Sequence, residues 1–77
     1  MTEKLKVLLE EILNEEFAII EKVENFKDLE FWDSLTYVNL VVGLEKEFQI
    51  ALTENEIGAI LSVNSVEQVL SNHGIVL

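Results

Sequence analysis

The sequence predicts an all-α fold, a four-helix bundle with three longer helices and a short third helix. Apolar residues recur every three or four positions over residues 2–15 and again over residues 34–48, a spacing that places them on one side of a helix. Two later segments, beginning at Thr53 and Ser65, have a hydroxyl residue followed three positions on by Glu or Gln. This is the pattern of a capping box, which stabilises a helix start.

The first helix is predicted over residues 2–15, with Thr2 as its N-cap. Its predicted inner face consists of Leu5, Leu8, Leu9, Ile12 and Leu13. Charged and amide side chains occupy the opposite face. Packing against a core explains this pattern completely.

The second helix is predicted over residues 34–48, with Asp33 as its N-cap. A carboxylate there accepts a first-turn N–H and complements the positive end of the helix dipole. Ser34 would then be the first helical residue, with its hydroxyl in solvent. The predicted inner face consists of Leu35, Val38, Val41 or Val42, Leu44 or Glu45, and Phe48. Gly43 costs about 1 kcal/mol relative to Ala, and either permits the close approach of another backbone or is simply tolerated.

The second half of the chain predicts two helices after an extended connection at residues 49–52. A short helix begins at the Thr53–Glu56 capping box and ends at about Leu61. The last helix begins at Asn64 and Ser65, with Ser65 and Gln68 as its capping box, and stops at Gly74. The predicted inner faces are Ile57, Ile60 and Leu61 in the short helix, and Val66, Val69 and Leu70 in the last helix.

Composition limits the 77 residues to one small domain over positions 1–77. Hydrophobic residues make up 49% of the chain, enough to build a core, which argues against disorder. The absence of cysteine excludes disulfides and thiolate metal sites and is consistent with the cytoplasm. The N-terminus lacks the apolar run of a signal peptide, and no apolar run approaches the roughly 20 residues that span a bilayer. We therefore predict a cytoplasmic protein without membrane insertion.

The formal net charge of −10 comes from 15 acidic residues against 5 basic ones. Nucleic acid is a poor partner for such a chain because its backbone is bound by clustered cations. Two interpretations of the charge remain open: complementarity to basic surfaces of partner proteins, and solubility. We expect a monomer.

Catalytic machinery is not predicted, and we expect that the protein is not an enzyme. The single histidine, His73, would need a nucleophile and an orienting carboxylate to act as a base, and the sequence nominates neither. A structural role near the end of the last helix is expected instead. The acidic residues do not match a calcium loop, so no metal site is predicted.

The order Asp33-Ser34-Leu35, followed by an apolar helix that ends in Leu44-Glu45-Lys46-Glu47-Phe48, resembles the acyl carrier protein family. In that family an Asp-Ser-Leu triplet opens the second helix, and its serine carries a 4′-phosphopantetheine arm. Chain length, acidity and the two short helices after the triplet extend the resemblance over nearly the whole chain. It implies a long loop at about residues 16–32, with a possible helical turn. In that loop Phe26, Leu29, Phe31 and Trp32 would be apolar anchors.

The resemblance gives Ser34 a chemical role. From the residues alone, Ser34 is an ordinary first-turn serine. The resemblance implies that a phosphopantetheinyl transferase, using magnesium and coenzyme A, attaches the arm to the Ser34 hydroxyl, with Asp33 and Leu35 completing the attachment motif. The expected function is to shuttle thioester-bound acyl groups between partner enzymes. Two alternatives stay open: a carrier of aminoacyl groups (peptidyl or D-alanyl), and an acidic helical adaptor without a prosthetic group.

The resemblance also implies that the second helix is a docking surface for acyl-loading and acyl-transferring enzymes with basic surfaces. The residues expected to contact them are Asp33, Thr36, Asn39, Glu45 and Glu47. Thr36, Asn39 and Lys46 stand where many carriers of fatty acid synthesis are acidic. The segment at residues 29–32 also lacks their small Gly-containing step. These differences favour a specialised pathway, in secondary metabolism, lipid modification or cell-envelope decoration.

Two questions about apolar residues stay open at this point. Trp32 either covers the core beneath the loop, which we favour because aromatic side chains bury large areas, or contacts a partner or the arm. The interior is either an ordinary close-packed core or one that parts to shelter an acyl chain.

The charge leads to a testable prediction. Added salt or magnesium should raise the melting temperature, because screening reduces the repulsion among the excess carboxylates. Thermal unfolding followed by circular dichroism measures this effect. A melting temperature that is indifferent to magnesium and ionic strength would contradict the prediction.

Overall fold

All regular secondary structure in residues 2–76, the part of the chain that the computed structural model describes, is helical, and no strand occurs there. The elements in chain order are α1 (Glu3–Leu13), α2 (Phe17–Ile20), a 3-10 helix (Phe26–Asp28), α3 (Ser34–Phe48), α4 (Glu54–Gly58) and α5 (Val63–Asn72). The all-α prediction is confirmed. None of these helices is long and apolar enough to cross a membrane.

Helix α1 begins as predicted, because the Thr2 hydroxyl accepts a hydrogen bond from the Leu5 N–H at 3.3 Å. It ends at Leu13, two residues earlier than predicted, since Asn14 adopts a left-handed conformation with φ of 52°. The buried residues of this helix are spaced four positions apart: Leu5, Leu9 and Leu13. Helix α1 packs against both α2 and α3.

The connection between α1 and α3 contains more helix than predicted, namely α2 and the 3-10 helix. Phe26 and Leu29 are buried as expected, and Trp32 packs against the core from the side. The prediction for Phe31 is wrong, since 51% of its surface is exposed. Trp32, the next residue in the chain, packs on Phe26 beside the core, and Phe31 faces solvent.

Helix α3 has the predicted bounds and the predicted cap, but its rotation about its own axis differs from the prediction. Its buried residues are Leu40, Val41 and Leu44. Leu35 and Val38, which were assigned to the core, are 67% and 53% exposed. Of the two alternatives Val41 and Val42, Val41 is buried and Val42 is 42% exposed. The helix is apolar on two opposite sides, so the spacing alone does not decide which side faces the core; packing against α1 decides it.

Gly43 lies where α3 meets α1. A Cβ at this position would lie 2.7 Å from Ile12 Cδ1 and 3.2 Å from Leu8 Cδ1. The glycine therefore permits a close approach, as one interpretation held, but the approaching atoms belong to side chains and not to a backbone.

The capping box at the start of α4 is confirmed. The Glu56 N–H donates to the Thr53 hydroxyl at 3.2 Å, and the Thr53 N–H donates to the Glu56 carboxylate at 2.9 Å. The helix ends at Gly58, earlier than predicted. Ile60 is fully buried, whereas Leu61 is 44% exposed, so the prediction that Leu61 is a core residue is wrong.

Helix α5 begins earlier than predicted, because Ser62 and not Asn64 or Ser65 is its N-cap. The Ser65 N–H donates to the Ser62 hydroxyl at 3.2 Å, and the Ser62 N–H donates to the Ser65 hydroxyl at 2.9 Å. Ser65 thus closes the box that Ser62 opens, in place of Gln68. The predicted inner face is confirmed, with Val66, Val69 and Leu70 buried. Gly74, at φ of 80°, follows the helix end as expected for a stop.

The contact at Gly43 leads to a prediction about stability. Replacing Gly43 with Leu should lower the free energy of unfolding by about 1–3 kcal/mol, because the added atoms overpack the contact between α1 and α3. Gly58→Leu is the matched control, since a Cβ there meets no atom within 4 Å, and it should change stability by at most about 1 kcal/mol. Urea unfolding of both variants measures the difference. Equal effects of the two substitutions would refute the role assigned to Gly43.

Candidate functional site

Ser34 is exposed and is the first residue of α3. Asp33, immediately before it, has an extended backbone and caps the helix: its Oδ1 accepts the Thr36 N–H at 2.7 Å, and its carbonyl accepts the Tyr37 N–H at 3.0 Å. The sequence predicted this arrangement. The capped start of α3 fixes the Ser34 backbone, while the Ser34 side chain faces solvent.

The cap also stabilises the ionised form of Asp33. The pKa of its carboxyl lies below the ordinary value, mainly because the Thr36 N–H donates to the ionised form. The negative charge of Asp33 therefore persists to a lower pH than that of an ordinary aspartate, and it lies at the positive end of α3, next to Ser34 in the chain.

A second hydrogen bond fixes the chain before the serine. The Thr36 hydroxyl donates to the Phe31 carbonyl at 3.0 Å, which ties the end of the long connection to the first turn of α3. Thr36, expected to contact partners, is half-buried and has this local role.

The other residues expected at a partner surface fall into two groups. Asn39 and Glu47 are exposed on α3. Glu45 is half-buried, and its Oε2 accepts the Leu52 N–H at 2.9 Å, which holds the connection after α3. Glu45 therefore has a structural contact of its own.

Sequence analysis missed the exposed apolar stripe of α3, formed by Leu35, Val38 and Val42. Leu35 directly follows the serine, and the other two residues continue along the same side of the helix at i+3 and i+7. The signal that could have revealed this stripe is that the apolar residues of α3 cover too wide an arc to enter one core face. Exposed apolar surface of this kind often marks an interaction site.

Beside Ser34 lies an open recess of about 420 Å³, lined by Trp32, Asp33, Ser34, Tyr37 and Leu61. Trp32 lines this recess and packs between two aromatic rings. Its centroid lies 5.7 Å from that of Phe26 and 5.8 Å from that of Tyr37, the latter in an edge-on arrangement. Trp32 is half-buried, so it packs on the core, as favoured, and also presents a surface next to the serine.

His73 joins the end of α5 to α4. Its Nε2 lies 2.8 Å from Glu56 Oε2, and this contact supports the expected structural role. The pKa of Glu56 is lowered, first by the Thr53 N–H that it accepts in the capping box and second by His73. Within residues 2–76, no group of three or more His, Cys, Asp or Glu side chains is arranged to hold a metal ion.

The Asp33 cap leads to a prediction about pH. A carboxyl whose pKa is lower in the folded state stabilises the fold fully above its unfolded pKa, and this contribution is lost as the pH falls through the folded pKa. Asp33→Asn keeps a side-chain acceptor but does not titrate. Wild type should therefore be more stable than Asp33→Asn at neutral pH, with a difference that shrinks below about pH 4.

Thermal unfolding between neutral pH and pH 3 measures this difference, and Asp33→Ala, which also lacks the acceptor, should be less stable than wild type and Asp33→Asn at neutral pH. If wild type and Asp33→Asn lose stability in parallel on acidification, the Asp33 carboxylate is not the titrating cap.

Comparison of this chain with known protein families, with curated proteins and with solved structures finds no match.

Proposed function

We propose that the protein is a carrier that bears a 4′-phosphopantetheine arm on Ser34 and shuttles thioester-bound acyl groups between enzymes. The observation that carries the proposal is an exposed serine at the first position of a long helix, within the triplet Asp33-Ser34-Leu35. A tether point needs a reachable hydroxyl on a backbone that does not move when the arm swings. The Asp33 and Thr36 hydrogen bonds supply that rigidity.

The proposed modification transfers the phosphopantetheine group of coenzyme A to Ser34. The Ser34 Oγ attacks the phosphorus of coenzyme A that bears the pantetheine. An Oγ–P bond forms, the pyrophosphate P–O bond breaks, the adenosine bisphosphate half of coenzyme A leaves, and the hydroxyl proton passes to a base of the transferase. The chain contributes the nucleophilic oxygen, and the transferase contributes the base and the magnesium.

The residues around Ser34 fit the arm. The hydroxyl faces solvent, and the apolar recess lies next to it. When attached, the arm supplies a terminal thiol, which a chain without cysteine otherwise lacks. Leu35, Val38 and Val42 offer an apolar surface beside the tether for a loading or transferring enzyme, and the net charge of −10 favours partners with basic surfaces.

The finer architecture belongs to the same proposal. Helices α1, α3 and α5 correspond to the three longer helices of a four-helix carrier bundle, and α4 to its short third helix. Helix α2 and the 3-10 helix then belong to the long connection before Ser34. We further propose a cytoplasmic monomer that serves a specialised pathway. The loading enzyme decides whether the cargo is an acyl or an aminoacyl group.

One observation favours a function of a different class. The exposed stripe Leu35, Val38 and Val42 would also suit an adaptor that binds a partner through α3 without any prosthetic group. An adaptor does not require the Ser34 hydroxyl, and that requirement separates the two functions.

The carrier proposal predicts a single covalent modification at Ser34. Incubation with coenzyme A, magnesium and a broad-specificity phosphopantetheinyl transferase should increase the intact mass of the wild type by one arm. Ser34→Ala should gain nothing, whereas Ser71→Ala, which removes another exposed helical serine, should be modified like the wild type. Intact-mass spectrometry measures all three proteins.

An unchanged mass of the wild type would refute the carrier function and leave the adaptor. Equal modification of Ser34→Ala would show that the arm is attached elsewhere.

A further inference from the structure

We infer that a groove between α2 and the start of α5 is a second docking surface, which binds an arginine side chain from a basic segment of a partner protein. This α2–α5 groove has a volume of about 300 Å³. The residues that form its apolar and acidic surface are Phe17, Glu21, Val23, Glu24, Val63 and Glu67. Over positions 2–76, its lining comes from α2, the segment after α2, and α5, and not from α3. The inference therefore goes beyond the proposed carrier function and does not depend on the arm.

Part of the groove surface is apolar and held in place. Phe17 and Val23 are half-buried and pack against the core, and Val63 belongs to the core itself. Glu10 Oε2 accepts the Phe17 N–H at 2.9 Å, which fixes the start of α2. An arginine has a methylene stem that packs on apolar surface, and its planar guanidinium stacks on aromatic rings such as that of Phe17.

The same groove is lined by three carboxylates, those of Glu21, Glu24 and Glu67. The ion pair of His73 with Glu56 is the single one within residues 2–76, so the three carboxylates of the groove have no cationic partner in that part of the chain. Like charges on one small surface repel each other, and a bound cation relieves this repulsion. A guanidinium suits such a site because its five N–H donors can reach more than one carboxylate.

Another groove of the molecule shows how the chain itself satisfies a similar set of charges. This groove has a volume of about 270 Å³, lies between α1 and the end of α3, and is also lined by three carboxylates: Glu3, Glu11 and Glu47. Lys4 lines it as well, and the Lys4 Nζ lies 5.1 Å from the centroid of the Phe48 ring. The chain thus supplies its own cation to this groove, and that cation also contacts an aromatic ring.

The α2–α5 groove has the carboxylates and the aromatic ring but no basic side chain among its lining residues. Lys6 contacts Phe17, with Nζ 5.3 Å from the ring centroid, yet Lys6 does not line the groove. Lys22 is exposed on the segment after α2 and does not line it either. An arginine from a partner protein would take the place that Lys4 takes in the other groove.

The start of α5 is the one feature of the groove that would attract an anion instead. A helix N-terminus carries about half a positive charge. The Ser65 N–H of this first turn already donates to the Ser62 hydroxyl at 3.2 Å, so the chain satisfies part of the donor capacity itself. Three carboxylates outweigh about half a positive charge, and the groove therefore favours a cation.

The test uses the full chain without an arm and the peptide acetyl-Ala-Arg-Ala-Arg-Ala-amide as the probe. A second peptide, in which uncharged citrulline replaces both arginines, controls for the charge of the probe. The dissociation constant is measured from amide resonances in ¹⁵N–¹H spectra during titration at an ionic strength of about 0.15 M.

Two triple variants are compared with the wild type. The first neutralises the α2–α5 groove and consists of Glu21→Gln, Glu24→Gln and Glu67→Gln. The second is the matched control, which neutralises the groove that Lys4 occupies and consists of Glu3→Gln, Glu11→Gln and Glu47→Gln. Each variant removes three of the 15 acidic charges, so the two proteins differ in the location of the change and not in net charge. Circular dichroism verifies that both are folded.

In the wild type, the arginine peptide should shift the amide resonances of Val63, Asn64 and Glu67, and the citrulline peptide should not. Neutralising the α2–α5 groove should weaken binding by about tenfold, because several exposed charge pairs of modest strength are lost together. The matched control should change the dissociation constant by less than about twofold, because salt screens charges that lie more than about 8 Å away.

Equal weakening in both triple variants would overturn the inference, as would the absence of shifts at the groove amides with the arginine peptide. Shifts with spermidine or magnesium chloride, but not with the arginine peptide, would assign the groove to a small cation and also overturn it. If the triple variant of the groove does not fold, Glu67→Gln alone replaces it and should weaken binding by about twofold. Every titration uses the chain without an arm, so the outcome is separate from whether Ser34 is modified.

Discussion

The fold and the candidate site both depend on which of the two apolar sides of α3 is buried. Leu40, Val41 and Leu44 are turned to the core, and the side of α3 at Gly43 lies against α1, where a Cβ would displace the tip of the Ile12 side chain. Burial of one side leaves Leu35, Val38 and Val42 in solvent, where each apolar side chain keeps the unfavourable hydration that burial would remove. Val38 of that stripe follows Ser34 at i+4, so the serine and this part of the apolar surface lie on the same side of the helix.

A row of three aromatic side chains connects this helix to the rest of the molecule. Phe26 is fully buried, Trp32 stacks on it, and Tyr37 meets Trp32 edge-on and reaches α4 through its hydroxyl. Aromatic pairs of this geometry add about 0.5–1.5 kcal/mol beyond the area that they bury. The row explains how a long connection with little regular structure still holds the start of α3 in one position. It also explains why Trp32 is both a core contact and a wall of the recess.

Several carboxylates have structural contacts that the net charge alone does not reveal. Asp33 and Glu56 accept backbone N–H groups at or beside the starts of α3 and α4, Glu10 accepts the Phe17 N–H at the start of α2, and Glu45 accepts the Leu52 N–H after α3. Negative charge at a helix N-terminus also complements the helix dipole. Part of the acidity therefore satisfies backbone donors, while each of these carboxylates keeps its negative charge.

The sequence by itself determined the elements that depend on local chemistry. Asp33 starts α3 at Ser34, Thr53 with Glu56 opens α4, and Gly74 follows the end of α5, because a cap or a stop needs only a few neighbouring atoms. Periodicity was also sufficient for the inner faces of α1 and α5, which have a single apolar side. Helix α3 has two apolar sides, and its packing against α1 decides which of them is buried.

The tertiary structure likewise decided the exposure of Phe31 and Leu61, and with it the recess beside Ser34. Both residues lie where the chain changes direction, so no regular period assigns their side chains to a face. Trp32 covers the core contact next to Phe31, and Phe26 binds the backbone of Leu61 from a distant part of the chain. Contacts between residues far apart in sequence leave no local pattern, and for this reason the serine was visible in the sequence while the surface around it was not.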